Sequence, residues 1–228
     1  MDVTREFCAE NLERVPAAVR AGATRVELCD NLAAGGTTPS YGVIRAAVAF
    51  QEAHGVPMMV MCRPRGGGFV YTDAEVQMMV DDVRMARASG AAGVVIGCLR
   101  RHEGALALDR EVVARLVDEA KGEGVGIASG TKPALVTFHM AFDELVFADQ
   151  EDALDTLASL GVERVLTHGG PASRPIQDNL VHLHALVAHA RNRITILPGG
   201  GVTYENVDDV TGRLGVREAH GTRIVNLG

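Results

Sequence analysis

Pairs of residues able to do chemistry recur two positions apart where short apolar runs end. They are Glu6 with Cys8, Glu27 with Cys29, Arg63 with Arg65, Thr137 with His139, and Glu218 with His220. Residues two apart on a strand share a face, so both members of each pair point to one side. A carboxylate in an apolar strand is costly to bury unless it finds a cation. Arg63 and Arg65 are the cations the pattern offers, and Glu6, Glu27 and Arg63 are expected to meet inside the upper barrel. The competing reading of the glutamates is a buried ion-pair network that fixes strand register. His139 is followed four residues later by Asp143, and a histidine oriented by a carboxylate is the usual arrangement for general acid–base work. A strand-end histidine bonded to backbone is the alternative. His220 is a second acid–base candidate.

Three further groups read as ligand holders. Arg65 lies in a glycine-rich loop near Phe69 and Tyr71 and is expected to hold an anion. PGGGVT places Gly199, Gly200 and Gly201 ahead of a helix, where free backbone N–H groups could receive a phosphate or carboxylate. Thr167, next to His168 at another strand end, is counted with them. Cys8 and Cys29 fall at matching heights on neighbouring strands, and soft thiolates select Cu(I); the bland reading is two small buried hydrophobes. The methionines, including Met61, suit core packing.

These residues need elements to position them. Eight apolar runs end in polar, glycine-rich turns: REFC, RVELC, MMVMC, GVVIG, ALVTFH, RVLT, ITIL and EAHG. Amphipathic helix-length segments separate them at about 11–23, 41–54, from Thr72 onward, 110–121, 151–160, 176–191 and 204–214. Ser40, the pair Thr72 and Glu75, and Asp109 have the form of N-terminal caps. GEGVGIASG, 122–130, carries a GxGxx fragment preceded by a helix rather than a strand, so it reads as a flexible return and not a dinucleotide fingerprint. Strand alternating with helix implies a parallel sheet. The expected fold is α/β, a single-domain (β/α)8 TIM barrel over 1–228, with all strand carboxyl ends at one mouth. Only residues 222–228 follow the eighth run, too few for a full final outer helix. Apolar surface near strands one and eight would then be covered by a partner subunit or by unusual terminal packing.

Composition excludes several classes. The net charge is −7, which argues against phosphate-driven nucleic-acid binding. No apolar stretch is long enough to span a membrane, and no signal-peptide pattern opens the chain; a cytoplasmic location is expected. Four cysteines without zinc-type spacing read as free thiols in a reducing compartment. The lysines are Lys121 and Lys132. Both belong to the rim opposite the mouth, so Schiff-base chemistry lacks its nucleophile.

The motifs REFCAEN, RVELCDNLAAGGTTPSYG, RPRGGGFVY, TFHMAFDE, RVLTHGG, GGGV and AHGTR together resemble the CutC family, known as copper homeostasis proteins. They span almost the whole chain. The resemblance implies a (β/α)8 barrel, a cytoplasmic homo-oligomer (a dimer or higher) and a link to copper handling; the family name supplies no reaction. Carried over residue by residue, it matches the family's cysteines to Cys8 and Cys29. Its paired arginines fall on Arg63 and Arg65, and its histidine and aspartate on His139 and Asp143. Cys62 and Cys98 match no family cysteine. Longer members continue into a terminal helix. The expected function is copper homeostasis with Cu(I) bound in the barrel mouth. The alternative is an enzyme of isomerase, epimerase or hydrolase type acting on a small phosphorylated or carboxylated metabolite. A non-enzymatic sensor would use the same pocket.

Overall fold

The computed structural model describes residues 3–122 and 132–228; most of the 122–130 segment lies outside them. The barrel strands are β1 (Thr4–Glu10), β2 (Arg25–Cys29), β3 (Met58–Met61), β4 (Gly93–Ile96), β7 (Leu135–Phe138), β8 (Arg164–Thr167), β9 (Thr195–Pro198) and β10 (Glu218–Gly221). A small hairpin, β5 (Leu99–His102) with β6 (Ala105–Leu108), follows β4. The barrel strands run parallel in the order β10-β1-β2-β3-β4-β7-β8-β9. Above the seam between β9 and β10, a bridge joins Thr203 to Arg223, with the Tyr204 N–H donating to the Arg223 carbonyl at 2.8 Å.

The outer layer consists of α1 (Val15–Arg20), α2 (Tyr41–His54), α3 (Asp73–Ala88), α4 (Arg110–Lys121), α5 (Phe147–Ser159), α6 (Leu180–Ala190) and α7 (Val207–Leu214). The expected caps form. Ser40 accepts from the Val43 N–H, Thr72 and Glu75 make a reciprocal capping box, and Asp109 accepts from the Val112 N–H. Two helices are shorter than their apolar periodicity suggests. Asn11 takes a left-handed φ of 60° and α1 starts only at Val15, with Pro16 in its first turn, where proline's missing N–H costs nothing. The α7 region opens with a turn in which Asn206 Oδ1 accepts from the Thr203 N–H, and the helix begins at Val207.

The hairpin is an unforeseen element. LRRH and ALAL pair antiparallel, and Glu103 and Gly104 between them have φ of 50° and 85°. Two consecutive positive φ values make the tight turn whose twist suits a two-residue hairpin. It raises Arg100 and Arg101, both exposed, beside the mouth.

The main core lies between the sheet and the helices, with Phe7, Leu28, Ile44, Met58, Met79 and Leu116 fully buried. A separate cluster of Cys8, Cys29, Met59, Met61 and Val95 fills the barrel interior. No helix follows β10. Ile224 and Val225 are buried instead, and Leu227 packs against the core, so the terminal segment covers apolar surface that a final helix would otherwise cover. Ile224→Ala should lower unfolding free energy by about 2–4 kcal/mol in urea titrations; a loss under about 0.5 kcal/mol would show that this segment does not seal the barrel.

Candidate functional site

Strand register assembles the interior charges. Glu6 is level with Arg25 on one side and with His220 on the other, and Cys8 is level with Glu27. Glu6 forms an ion pair with Arg25, and His220 Nδ1 lies 2.8 Å from the other Glu6 oxygen. Arg25 also reaches Glu218 at 2.7 Å, and Arg164 reaches the same Glu218 oxygen at 2.8 Å. Arg25 and Arg164 are each the first residue of a strand and point inward. They, not Arg63, compensate Glu6 and Glu218, which corrects the expected Glu6–Glu27–Arg63 cluster. The sequence signal for them is their inward parity on β2 and β8, two residues before Glu27 and Leu166.

Above this charged floor sit two thiols and a carboxyl group. Cys8 Sγ is 3.2 Å and Cys29 Sγ 3.5 Å from Glu27 Oε2, and His220 Nε2 is 3.7 Å from that oxygen. One atom each from Cys8, Glu27 and Cys29 lie within 4.8 Å of one another. Glu27 Oε1 has no hydrogen-bond partner. Burial opposes ionisation of Glu6, but His220 and Arg25 outweigh it and hold the carboxyl at about 2. Glu27 has no such arginine, and burial pushes its carboxyl well above the usual range. The Cys29 thiol and the His220 imidazolium draw the Cys8 thiol well down, while Cys29 is pushed up by Cys8 and by burial. For His220 burial works against the charge, yet Glu27, Cys8 and Glu6 together hold its pKa well above the ordinary value. These groups titrate as a unit, with Cys8 shifted toward the thiolate and His220 toward the cation.

A cavity of about 210 Å³ opens above the thiols, bordered by Cys8, Glu27, Cys29, Met61, Arg63, Phe69, His139, Leu166, His220 and others. Met61, expected only to pack, thus also offers a thioether to this space. Neither lysine is among the bordering residues; Lys121 bonds Glu163 at 2.5 Å, ahead of the first residue of β8. His139 is placed by its own turn. Its Nδ1 accepts from the Ala141 N–H at 3.1 Å, and burial beside Arg63 lowers its pKa to about 3, so it is a neutral imidazole. Gly97 makes room for it, since a Cβ there would sit 2.2 Å from the ring.

Several expected roles are not realised. Asp143 does not orient His139. Its carboxylate accepts from Thr167 Oγ1 at 2.5 Å and from the His168 and Gly169 N–H groups at 2.9 and 3.3 Å, tying the end of β8 in place and consuming Thr167. The acid–base dyad of the enzyme alternative is therefore absent. Arg65 is occupied by Glu75 at 2.5 Å and by the carbonyls of Gly66, Gly68 and Val70, so it braces its loop rather than receiving an anion. The Gly199 N–H donates to the Thr167 carbonyl, and Gly200 and Gly201 are exposed. None of these three glycines borders the cavity.

A family model described as the CutC family matches residues 3–225. The chain belongs to the CutC family. It is 49% identical over 221 residues to a CutC family protein of Enterococcus faecalis, covering 97% of this chain and 99% of that protein. It is 38% identical over 215 residues to the human copper homeostasis protein cutC homolog, covering 94% of this chain and 71% of that one. A CutC crystal structure from Streptococcus agalactiae superposes with a TM-score of 0.89 at 43% identity, covering 98% of this chain and all of that one. The TIM-barrel reading and the motif resemblance are thereby established.

The Glu6 pairing makes stability depend on pH. Its carboxyl moves from an ordinary 4.5 to about 2 on folding, so the pairing stabilises fully above pH 4.5 and is lost as pH falls through 2. Acid titration followed by circular dichroism should show stability falling across that window. Glu6→Gln should be less stable at neutral pH, with a flatter profile there. Superimposable profiles would contradict the pairing.

Proposed function

We propose that this CutC protein is a cytoplasmic copper homeostasis protein that takes up Cu(I) between Cys8 and Cys29 at the barrel mouth. The observation that carries the reading is the convergence of both thiols on Glu27, inside the barrel and beneath an accessible cavity. Thiolates select Cu(I) over harder cations, and Cys29 and His220 draw the Cys8 thiol toward its thiolate form. Copper is the cargo here. The donor set fits it, with two sulfurs from adjacent strands, the Glu27 carboxyl within reach and the Met61 thioether bordering the same space. All four cysteines are free, as thiols are kept in a reducing compartment, and no helix among the described residues is long and apolar enough to cross a membrane.

The protein acts as a homo-oligomer. Val146, Phe147 and Val181 are exposed, and Phe147 stacks on His182 at 4.0 Å, so the α5 and α6 face presents apolar surface of the kind that marks protein contacts.

Cu(I) titration against a chromophoric chelator under anaerobic conditions tests the thiol site. The wild type should bind one Cu(I) per chain, and Cys8→Ser with Cys29→Ser should abolish that binding. Cys98→Ser, whose sulfur lies against Met79 in the outer core, should leave it intact. Unchanged stoichiometry in the double variant would remove the thiol site. Because Cys29 must lose its proton, the wild-type affinity should rise with pH.

A further inference from the structure

The cavity has a second wall that copper does not use. Arg63 is 4% exposed, and its guanidinium donates to the carbonyls of Ala34, Gly35, Gly36 and Gly67. Among the described residues no carboxylate pairs with it, whereas Arg25 and Arg164 both have one. Carbonyls accept from its terminal nitrogens, but Nε has no partner and the charge is uncompensated, and a buried charge without a counter-charge is costly. His139 stands on the same wall. The ring of Phe69 lies between them, 4.8 Å from the Arg63 guanidinium carbon and 5.0 Å from the imidazole centre.

His139 carries the second observation. Because Nδ1 accepts from the Ala141 N–H, the ring proton sits on Nε2. That N–H is buried and has no hydrogen-bond partner, and an orphaned buried donor beside a cavity marks a missing acceptor. Leu32, Met61, Met140 and Leu166 add apolar lining, and Thr222 and the groups of the thiol wall complete the cavity.

We propose that this cavity binds a small organic carboxylate, with an oxygen accepting from His139 Nε2–H beside the charge of Arg63 and a short apolar body against Leu32, Met140 and Leu166. Size sets the class. About 210 Å³ falls below the roughly 300–1,000 Å³ of sites for drug-sized ligands, which favours a small ligand over a nucleotide. Charge sets it too. Among the described residues Arg63 has no carboxylate partner, and a single guanidinium charge matches a monoanion better than a phosphate dianion. The site does not depend on the copper reading, because its two determinants are not sulfur.

The test uses acetate as the smallest probe of the class. Acetate, acetamide and inorganic phosphate are titrated separately, at fixed pH and ionic strength, into metal-free 15N-labelled protein, and the imidazole N–H spectrum is followed. Acetate should shift the His139 Nε2–H resonance saturably and bind about tenfold or more tightly than acetamide, with phosphate weaker than acetate. His139→Phe, which keeps an aromatic ring against Phe69, should weaken acetate by about tenfold or more. Acetate binding is read in the metal-free protein and Cu(I) binding in the separate chelator titration, so failure of one reading is distinguishable from failure of the other. The proposal is overturned if acetate leaves His139 unshifted, if acetamide binds as well, if phosphate binds better, or if His139→Phe binds acetate unchanged. The wild-type comparison of the three probes stands even if the variant fails to fold.

Discussion

Burying Glu6 inside the barrel is the constraint from which the rest of the site follows. An isolated carboxylate there would cost several kcal/mol or lose its charge. Arg25 on the adjacent strand and His220 on the other neighbour prevent both outcomes. Removing either partner would strand a charge, so β10, β1 and β2 are locked in one register. That register sets Cys8 level with Glu27 and puts Cys29 two residues further along the same inward face. His220, its pKa raised by Glu27, Cys8 and Glu6, in turn lowers that of the Cys8 thiol. The charged floor thus positions the groups above it and biases their protonation.

A parallel barrel then separates two tasks within one small opening. Strands β1, β2 and β10 bring sulfur, carboxyl and imidazolium groups to one side. The loop after β3 and the turn after β7 bring Arg63 and His139 to the other. The first side is soft and rich in protons, suited to a thiophilic cation. The second is a fixed positive charge beside a neutral N–H donor. Asp143, Arg65 and Glu75 stay outside the opening and hold the loops that shape it.

Much of this architecture is legible in the sequence, because local rules decide it. All eight barrel strands, the three caps and the shared inward face of Glu6, Cys8, Glu27, Cys29 and His220 follow from periodicity and parity. The motif resemblance independently pointed to the family. Partner choice is what parity cannot supply. Arg63 looks like the natural cation for Glu6, yet the β1–β2 register delivers Arg25 instead, and register is set by pairing across the sheet. Asp143 sits four residues from His139, but the turn that follows β7 swings its carboxylate to the end of β8. Arg65 is bound by Glu75, ten residues ahead, because the loop folds back onto the start of α3. The hairpin escaped notice because Glu-Gly is a weak sign of a turn that Asn-Gly would have announced.

The account stands or falls on where copper sits. Crystals of the Cu(I)-loaded protein, measured on both sides of the copper absorption edge, locate the ion directly. The structure predicts one anomalous peak inside the barrel between the sulfurs of Cys8 and Cys29, with Glu27 beside it. A peak elsewhere on the molecule, or none at full loading in solution, would contradict it.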